Sequence, residues 1–274
     1  VPGRQSFKSC RDSRGFTLVE LVAVLVLLGI IAAVSTDFIV RSVESYREAQ
    51  IRNRLLAKGR VAIEHMSRVL RSAVPNSLRV STSGNCVEVL PSTGAAFYEN
   101  ELPDQNNGAP RVLTIATSPF VLDHGGAVHA VVGSYFDTEI YTTASTAARA
   151  TIDSTNSVAG GPITELSLSL LHEFIRNSNS KRIYVAADPQ RFCLVGSELW
   201  LYRNYGLRTA LADGSPGAPV DAVQLADAVS TSGAAFSRSA GSETRGAAVD
   251  INLSFSEAQI SIDLNQRILA RNVP

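Results

Sequence analysis

The chain has 274 residues, 45% of them hydrophobic and 18% charged, with Lys+Arg 25 balancing Asp+Glu 25. That length suits one large domain or two small ones, and the composition excludes a disordered or fibrous chain. Zero net charge excludes a global field that would draw the whole chain onto nucleic acid, and three cysteines exclude a disulfide-dense scaffold.

The neutrality is a sum of unequal blocks. Residues 1 to 15 hold Arg4, Lys8, Arg11 and Arg14 against Asp12, whereas Phe16 to Thr36 carries a single charge, Glu20. Residues 37 to 74 hold eight basic and four acidic residues, and the remainder holds 13 basic and 19 acidic. The chain therefore reads as a basic leader, an apolar span, a basic helix and a mildly acidic head.

From Leu21 to Val34 every residue is apolar or Gly. The stretch from Phe16 to Val34 makes a helix about 28 Å long, close to a bilayer's hydrocarbon thickness. Its thirteen Leu, Ile, Val and Phe residues favour insertion by about 6 kcal/mol, more than one acid near the end opposes. Taken by position alone, Glu20 snorkels to the headgroups. A secretory signal peptide ending near Ala32, Ala33 and Ser35 is the other plain reading, and it leaves an acid inside the apolar region unexplained.

Arg14-Gly15-Phe16-Thr17-Leu18-Val19-Glu20-Leu21 resembles the type IV prepilin signal, in which a basic leader ends in Gly and the mature chain opens Phe-Thr-Leu-x-Glu. The resemblance implies cleavage between Gly15 and Phe16 by a prepilin peptidase/methyltransferase, an N-methylated Phe16, and a mature chain of 259 residues. It further implies that Glu20 serves assembly by meeting the terminal amine of a neighbouring subunit, an ion pair favoured in lipid because either charge alone is expensive there. Basic residues are equally numerous on both sides of the span. The orientation, with the head in the periplasm and the chain passing once through the inner membrane before reaching a pilus at the cell surface, thus rests on the resemblance.

The helix continues beyond the span. No Pro falls between Pro2 and Pro75, and Leu56, Gly59, Ile63, Met66 and Leu70 follow 3-4-3-4 spacing, with Ala62, Val69 and Ala73 alongside. Pro75-Asn76 ends it. Many major pilins carry a Pro near the position of Asp37, and this chain departs from that pattern. The Arg and Lys side chains of this stretch read as a solvated face with i,i+4 partners such as Glu64–Arg68.

From Leu78 the period shortens to two. Strand candidates are Leu78–Thr82, Cys86–Leu90, Arg111–Ala116, Ala127–Val132, Leu166–Leu170, Arg182–Ala186, Arg191–Val195, Leu199–Arg203, Val249–Phe255, Ala258–Asp263 and Ile268–Asn272. Val195-Gly196-Ser197-Glu198 reads as a hairpin turn. Thr142–Gly161 and Ala210–Gly246 read as surface loops. The expected fold is α+β and pilin-like, a long N-terminal helix, transmembrane in its first half, packed on an antiparallel β-sheet head. Its divisions are a leader peptide at 1–15, a helix at 16–74 with a membrane and assembly segment at 16–36, and a head at 75–274.

Cys10 falls in the leader, so Cys86 and Cys193 remain in the mature chain. In an exported head they form a disulfide; two buried free thiols are the alternative. Asn76-Ser77-Leu78-Arg79-Val80, Asn85-Cys86-Val87-Glu88, Arg191-Phe192-Cys193-Leu194 and Arg271-Asn272-Val273-Pro274 are similar to segments of the minor pilins of the mannose-sensitive haemagglutinin (MSHA) pilus. That similarity implies a subunit that helps initiate or cap a pilus used in surface attachment, with major and minor pilins as partners. The J-type minor pseudopilins of type II secretion share the size and plan. A signal-anchored periplasmic domain unrelated to pili is the reading from another class.

No catalytic constellation emerges, and the chain reads as a non-enzyme without cofactor, metal or nucleic-acid partner. It has no G-x-S-x-G elbow, P-loop or H-E-x-x-H. Asp123-His124 with His129 reads as a surface loop, and His65 and His172 have no ligand set near them in sequence. Asp213-Gly214-Ser215 and the Asp221/Asp227 pair read as turn chemistry, and Tyr202-Arg203-Asn204-Tyr205 as edge-strand packing.

Overall fold

The computed structural model describes residues 15–123, 125–157, 161–239 and 247–270. The leader through Arg14, His124 and the closing Arg271 to Pro274 lie outside the described residues. The chain divides into two compact units, residues 1–51 and 52–274.

One long helix, α1 (Leu18–Arg71), runs through both units without a break. In the first unit it exposes every residue it contains up to Gln50. It is continuous at Asp37, whose carboxylate pairs with Arg41 one turn on at 3.0 Å. In the second unit it is amphipathic, burying Leu55, Gly59, Ala62, Ile63, Met66, Ser67 and Leu70. The buried stripe begins at Leu55, with Leu56 only half-buried. The last turn gives way at Ser72, and Asn76 takes a left-handed φ of 62° just after Pro75.

The strands of the head are β1 (Arg79–Val80), β2 (Cys86–Val89), β3 (Ser92–Phe97), β4 (Val112–Phe120), β5 (His129–Val132), β6 (Arg149–Ser157), β7 (Ile163–His172), β8 (Arg182–Ala186), β9 (Gln190–Val195), β10 (Glu198–Arg203), β11 (Asp221–Asp227), β12 (Val229–Ser230), β13 (Phe236–Ser239), β14 (Ala248–Glu257) and β15 (Ile260–Leu269). A single helical turn, α2 (Asp137–Ile140), separates β5 from β6. All the ladders between these strands are antiparallel. The architecture is α+β and pilin-like, as the sequence implies, but the strands form three sheets.

The first sheet has the order β1-β2-β9-β10-β11. One of its faces is apolar and turns toward α1, where the Phe192 ring meets His65 edge-on at 6.2 Å. The opposite face carries Arg79, Glu88 and Arg191, directly opposed in adjacent strands. Glu88 is fully buried. It accepts from Arg79 Nε at 2.5 Å, from Arg191 Nη2 at 3.0 Å and from the Tyr205 hydroxyl at 2.6 Å. Burial and the Glu88 charge push the Tyr205 hydroxyl far above its ordinary range, so it stays a donor. The guanidinium groups also donate to the carbonyls of Arg208, Thr209 and Ala212, which ties the strap after β10 across the sheet. Removing one partner from such a buried network costs about 3–5 kcal/mol. Two residues along the same face, Cys86 and Cys193 are bonded in a disulfide across a directly opposed pair, with Cα atoms 4.2 Å apart.

The second sheet has the order β3-β8-β5-β6-β7-β4. Its two edges meet: Tyr98 and Thr117 form a bridge, and the Glu99 N–H donates to Ala116 O at 3.1 Å. The sheet therefore closes into a six-stranded barrel filled by side chains such as Ile115, Val132, Ile152, Leu166 and Ile183. The third sheet pairs β14 with β12 and β13 on one side and with β15 on the other. Gly59 of α1 sits against Leu264 and Phe255 of this sheet, so a methyl there would force Leu264 aside.

Several expectations are corrected. Thr142–Gly161 is not a loop, for it holds β6; Ala210–Gly246 holds β11, β12 and β13. β10 is consequently an interior strand, and Tyr202 and Tyr205 are buried under the strap instead of lying at an edge. The hairpin at Gly196-Ser197 is present, with Gly196 at φ 61°. By contrast, Ala258 opens no strand: Ala258 and Gln259, at φ 47° and 66°, form the two-residue turn between β14 and β15. Both central residues are left-handed, the pattern of a type I′ turn, yet neither is Gly or Asn. Gln259→Gly is expected to stabilise the chain by about 1 kcal/mol, read by urea unfolding of the full chain in detergent. An unchanged or lower midpoint would refute the strain at this turn.

Candidate processing and assembly segment

Gly15, Phe16 and Thr17 precede the first turn of α1. Thr17 caps that turn: its Oγ1 accepts the Glu20 N–H at 3.3 Å, and its carbonyl accepts the Leu21 N–H at 3.1 Å. Glu20 thus occupies the third helical position, where a carboxylate complements the positive end of the helix dipole. Thr17-x-x-Glu20 matches the spacing of a capping box.

A Cβ added to Gly15 would meet no atom within 4 Å, and the same holds for Gly29. The fold places no steric demand for glycine at Gly15. Phe16 and Leu18 are 76% and 79% exposed. Among the described residues α1 is the one helix long and apolar enough to cross a membrane. The Glu20 carboxylate has no partner within the described chain.

Prokaryotic N-terminal methylation motif is the description of the family model that matches the chain, at residues 10–36. That motif supports a type IV pilin-like protein. Its motif implies processing by a prepilin peptidase and assembly with other pilins, and the motif with its apolar helix points to membrane anchoring. No curated protein and no solved structure matches the chain.

The other residues singled out by sequence do not converge. Cys86 and Cys193 lie in the first sheet, His129 and His172 in the barrel, and His65 on α1. His129 is not in a surface loop; it is a buried residue of β5. Its Nδ1 lies 3.2 Å from Arg149 Nη1, a donor, so Nδ1 must accept and the proton resides on Nε2, which faces Asp188 at 3.3 Å. The His172 Nε2 meets Ala147 O at 3.0 Å. Among the described residues no group of three His, Cys, Asp or Glu side chains gathers in reach of one metal ion. Asp213 accepts from Ser83 Oγ and Asp227 from Lys58, so each is engaged by other parts of the fold. The stalk cations behave differently from a simple solvated face: Arg54 pairs with Glu257 and Lys58 with Asp227, both at strand ends.

The Arg79–Glu88–Arg191 network escaped the reading of the sequence. The signal for it was present, since opposite charges interrupt apolar strand segments beside both cysteines.

The three described histidines, His65, His129 and His172, hold their protons less tightly than an exposed imidazole. Burial is the main cause in each, aided at His65 by Arg68 and Arg203 and opposed at His129 by Asp188 and at His172 by Ala147 O. The unfolded imidazoles, near 6.5, therefore take up protons that the folded ones refuse. Stability should fall as pH drops from neutral through 6.5 and below, with deeply buried His129 contributing more than half-exposed His65. Asp104, Glu139 and Asp227 are shifted down, so their contributions are lost only at lower pH. His172→Gln, which keeps a donor toward Ala147 O, is expected to flatten the slope in pH-dependent denaturant unfolding. A wild-type midpoint independent of pH across this window would contradict the assignment.

Proposed function

We propose that the chain is a minor type IV pilin of the MSHA kind, a structural subunit that helps initiate or cap pilus assembly and supports surface attachment. One observation carries the reading: Gly15 and Phe16 stand at the mouth of an exposed apolar helix capped by Thr17, with a Glu20 carboxylate that has no partner among the described residues. Glycine is not required there by packing, so its requirement belongs to an enzyme that must hold the backbone extended near the membrane.

In this reading 1–15 is the leader, 16–74 the helix and 75–274 the head. Cleavage falls between Gly15 and Phe16, Phe16 is N-methylated, and Glu20 pairs with the terminal amine of a neighbouring subunit in the membrane. The head, stabilised by the Cys86–Cys193 bridge, faces the periplasm before the subunit joins the filament. Its partners are the prepilin peptidase and the major and minor pilins. Its role is structural, with no chemistry of its own.

Gly15→Ala and Glu20→Ala separate the two steps. Gly15→Ala is expected to leave an uncut precursor, seen as a heavier band on blotting cell membranes. Glu20→Ala is expected to be cut normally and to enter filaments about tenfold less well. Normal processing and assembly of both variants would refute the pilin reading. Loss of secretion with intact pili in a deletion strain would move the chain to the type II secretion pseudopilins.

A further inference from the structure

β15 is a ten-residue strand with one side uncommitted: among the described residues it pairs along its whole length with β14 alone. The parity of the ladder is fixed at both ends. The two-residue turn makes Glu257–Ile260 a hydrogen-bonded pair, and the Ala270 N–H donates to Ala247 O at 2.8 Å. Even-numbered residues therefore direct their backbone groups to β14. Ser261, Asp263, Asn265, Arg267 and Leu269 direct theirs outward.

α1 packs on the sheet beside that edge, with Gly59 against Leu264 of β15 and Phe255 of β14. A groove of about 710 Å³ runs between helix and sheet, lined by Arg60, Val61, Glu64, Arg68, Leu264 and Gln266. Val61 is 70% exposed although it belongs to the half of the helix that packs on the head. Arg54 and Lys58 have carboxylate partners; Arg60 and Arg68 have none among the described residues. His65 Nε2, on the same wall, and Arg203 Nε, whose charge acts on His65, are buried without a hydrogen-bond partner. The groove thus offers an open row of backbone groups, an uncovered apolar side chain, and two cations against the single anion Glu64.

We propose that the outward edge of β15, beneath Arg60, Val61 and Arg68 of α1, receives an extended segment of a different filament subunit as an added strand, with a carboxylate of that segment facing the two arginines. Strand addition supplies main-chain hydrogen bonds, and alternate side chains of the incoming segment cover Val61 and meet the cations. A long edge of this kind is a liability unless something covers it, and β15 holds no Pro or Lys and blunts its edge only with Asp263 and Arg267, which are of opposite sign. A second copy of this chain does not fit. Pairing two β15 edges would bring a second Arg60 and Arg68 to the groove, like charge beside like charge, with no surplus carboxylate to meet them. The proposal rests on the reading of the chain as a filament subunit.

The test uses the full chain in cells that assemble the filament, with a photoreactive phenylalanine analogue at Asn265 and, as a remote control, at the exposed Leu170 of the barrel. The expected product is an adduct from Asn265 only. The cross-linked peptide should come from another chain bearing the prepilin motif and should contain Asp or Glu. Arg68→Glu is expected to lower the yield about tenfold. Asp263→Pro removes an outward N–H and the exposed Ser254–Asp263 side-chain hydrogen bond but leaves the backbone ladder to β14 whole, so it should abolish the adduct while the thermal midpoint of the chain moves little. An adduct with a second copy of this chain, an adduct with lipid, or no adduct from a chain that is cut and incorporated would each overturn the proposal. A chain that is never cut would instead overturn the filament reading, and the proposal with it.

Discussion

An apolar surface that its own chain does not cover governs this molecule. From Leu18 to Val34 the helix is exposed on every side, and its one charged side chain, Glu20, sits in the first turn. In water such a surface is untenable. In a bilayer it is favoured, and a helix is the form in which a single segment satisfies its own backbone there. The same constraint explains the Thr17 cap, since helix ends are the one place where backbone donors remain open. In the proposed reading it also sets the chemistry of assembly, since a carboxylate in lipid is stabilised beside a cation that another chain supplies.

In the proposed reading the head meets a second constraint: a subunit drawn out of the membrane must stay folded on its own contacts. Three devices do this. The barrel closes its edges on each other, so six strands bury one core without free sides. The first sheet is fastened by the disulfide and, beside it on the same face, by the Arg79–Glu88–Arg191 row. That row is costly to desolvate and adds little net stability over an apolar equivalent. Its effect is on register: a slip of one residue would place Glu88 against the apolar α1-facing side, unpaired. Tyr205 and the carbonyls of the strap complete the hydrogen bonds that two guanidinium groups need. The third sheet has no such closure, and it is the one that leaves an edge under α1.

Much of this was legible in the sequence, and the exceptions have physical causes. The apolar span, the amphipathic half of α1 and the strands β1, β2, β9 and β10 of the first sheet follow from periodicity, because each buries a full face. Gly196-Ser197 announced its hairpin through the glycine its φ requires. β6, Arg149–Ser157, was missed because its outward positions are Thr, Asp, Ser and Asn, a loop-like composition that barrel closure overrides. β11 to β13 were missed for a similar reason, being short or exposed strands rich in Ala and Ser. The Ala258-Gln259 turn carried no turn residue, so its pair of left-handed angles was invisible. The N-terminal segment was legible as a motif, while its geometry added two things the motif lacks: Gly15 is sterically unconstrained, and Thr17 holds the Glu20 turn.

The most direct measurement is the intact mass and N-terminal sequence of the chain recovered from cells with an active prepilin peptidase. A chain beginning at N-methylated Phe16 is the result this account predicts. A chain beginning near Thr36, or one that keeps its leader, would contradict it, since either would mean that the span is removed as an ordinary signal or retained as a plain anchor.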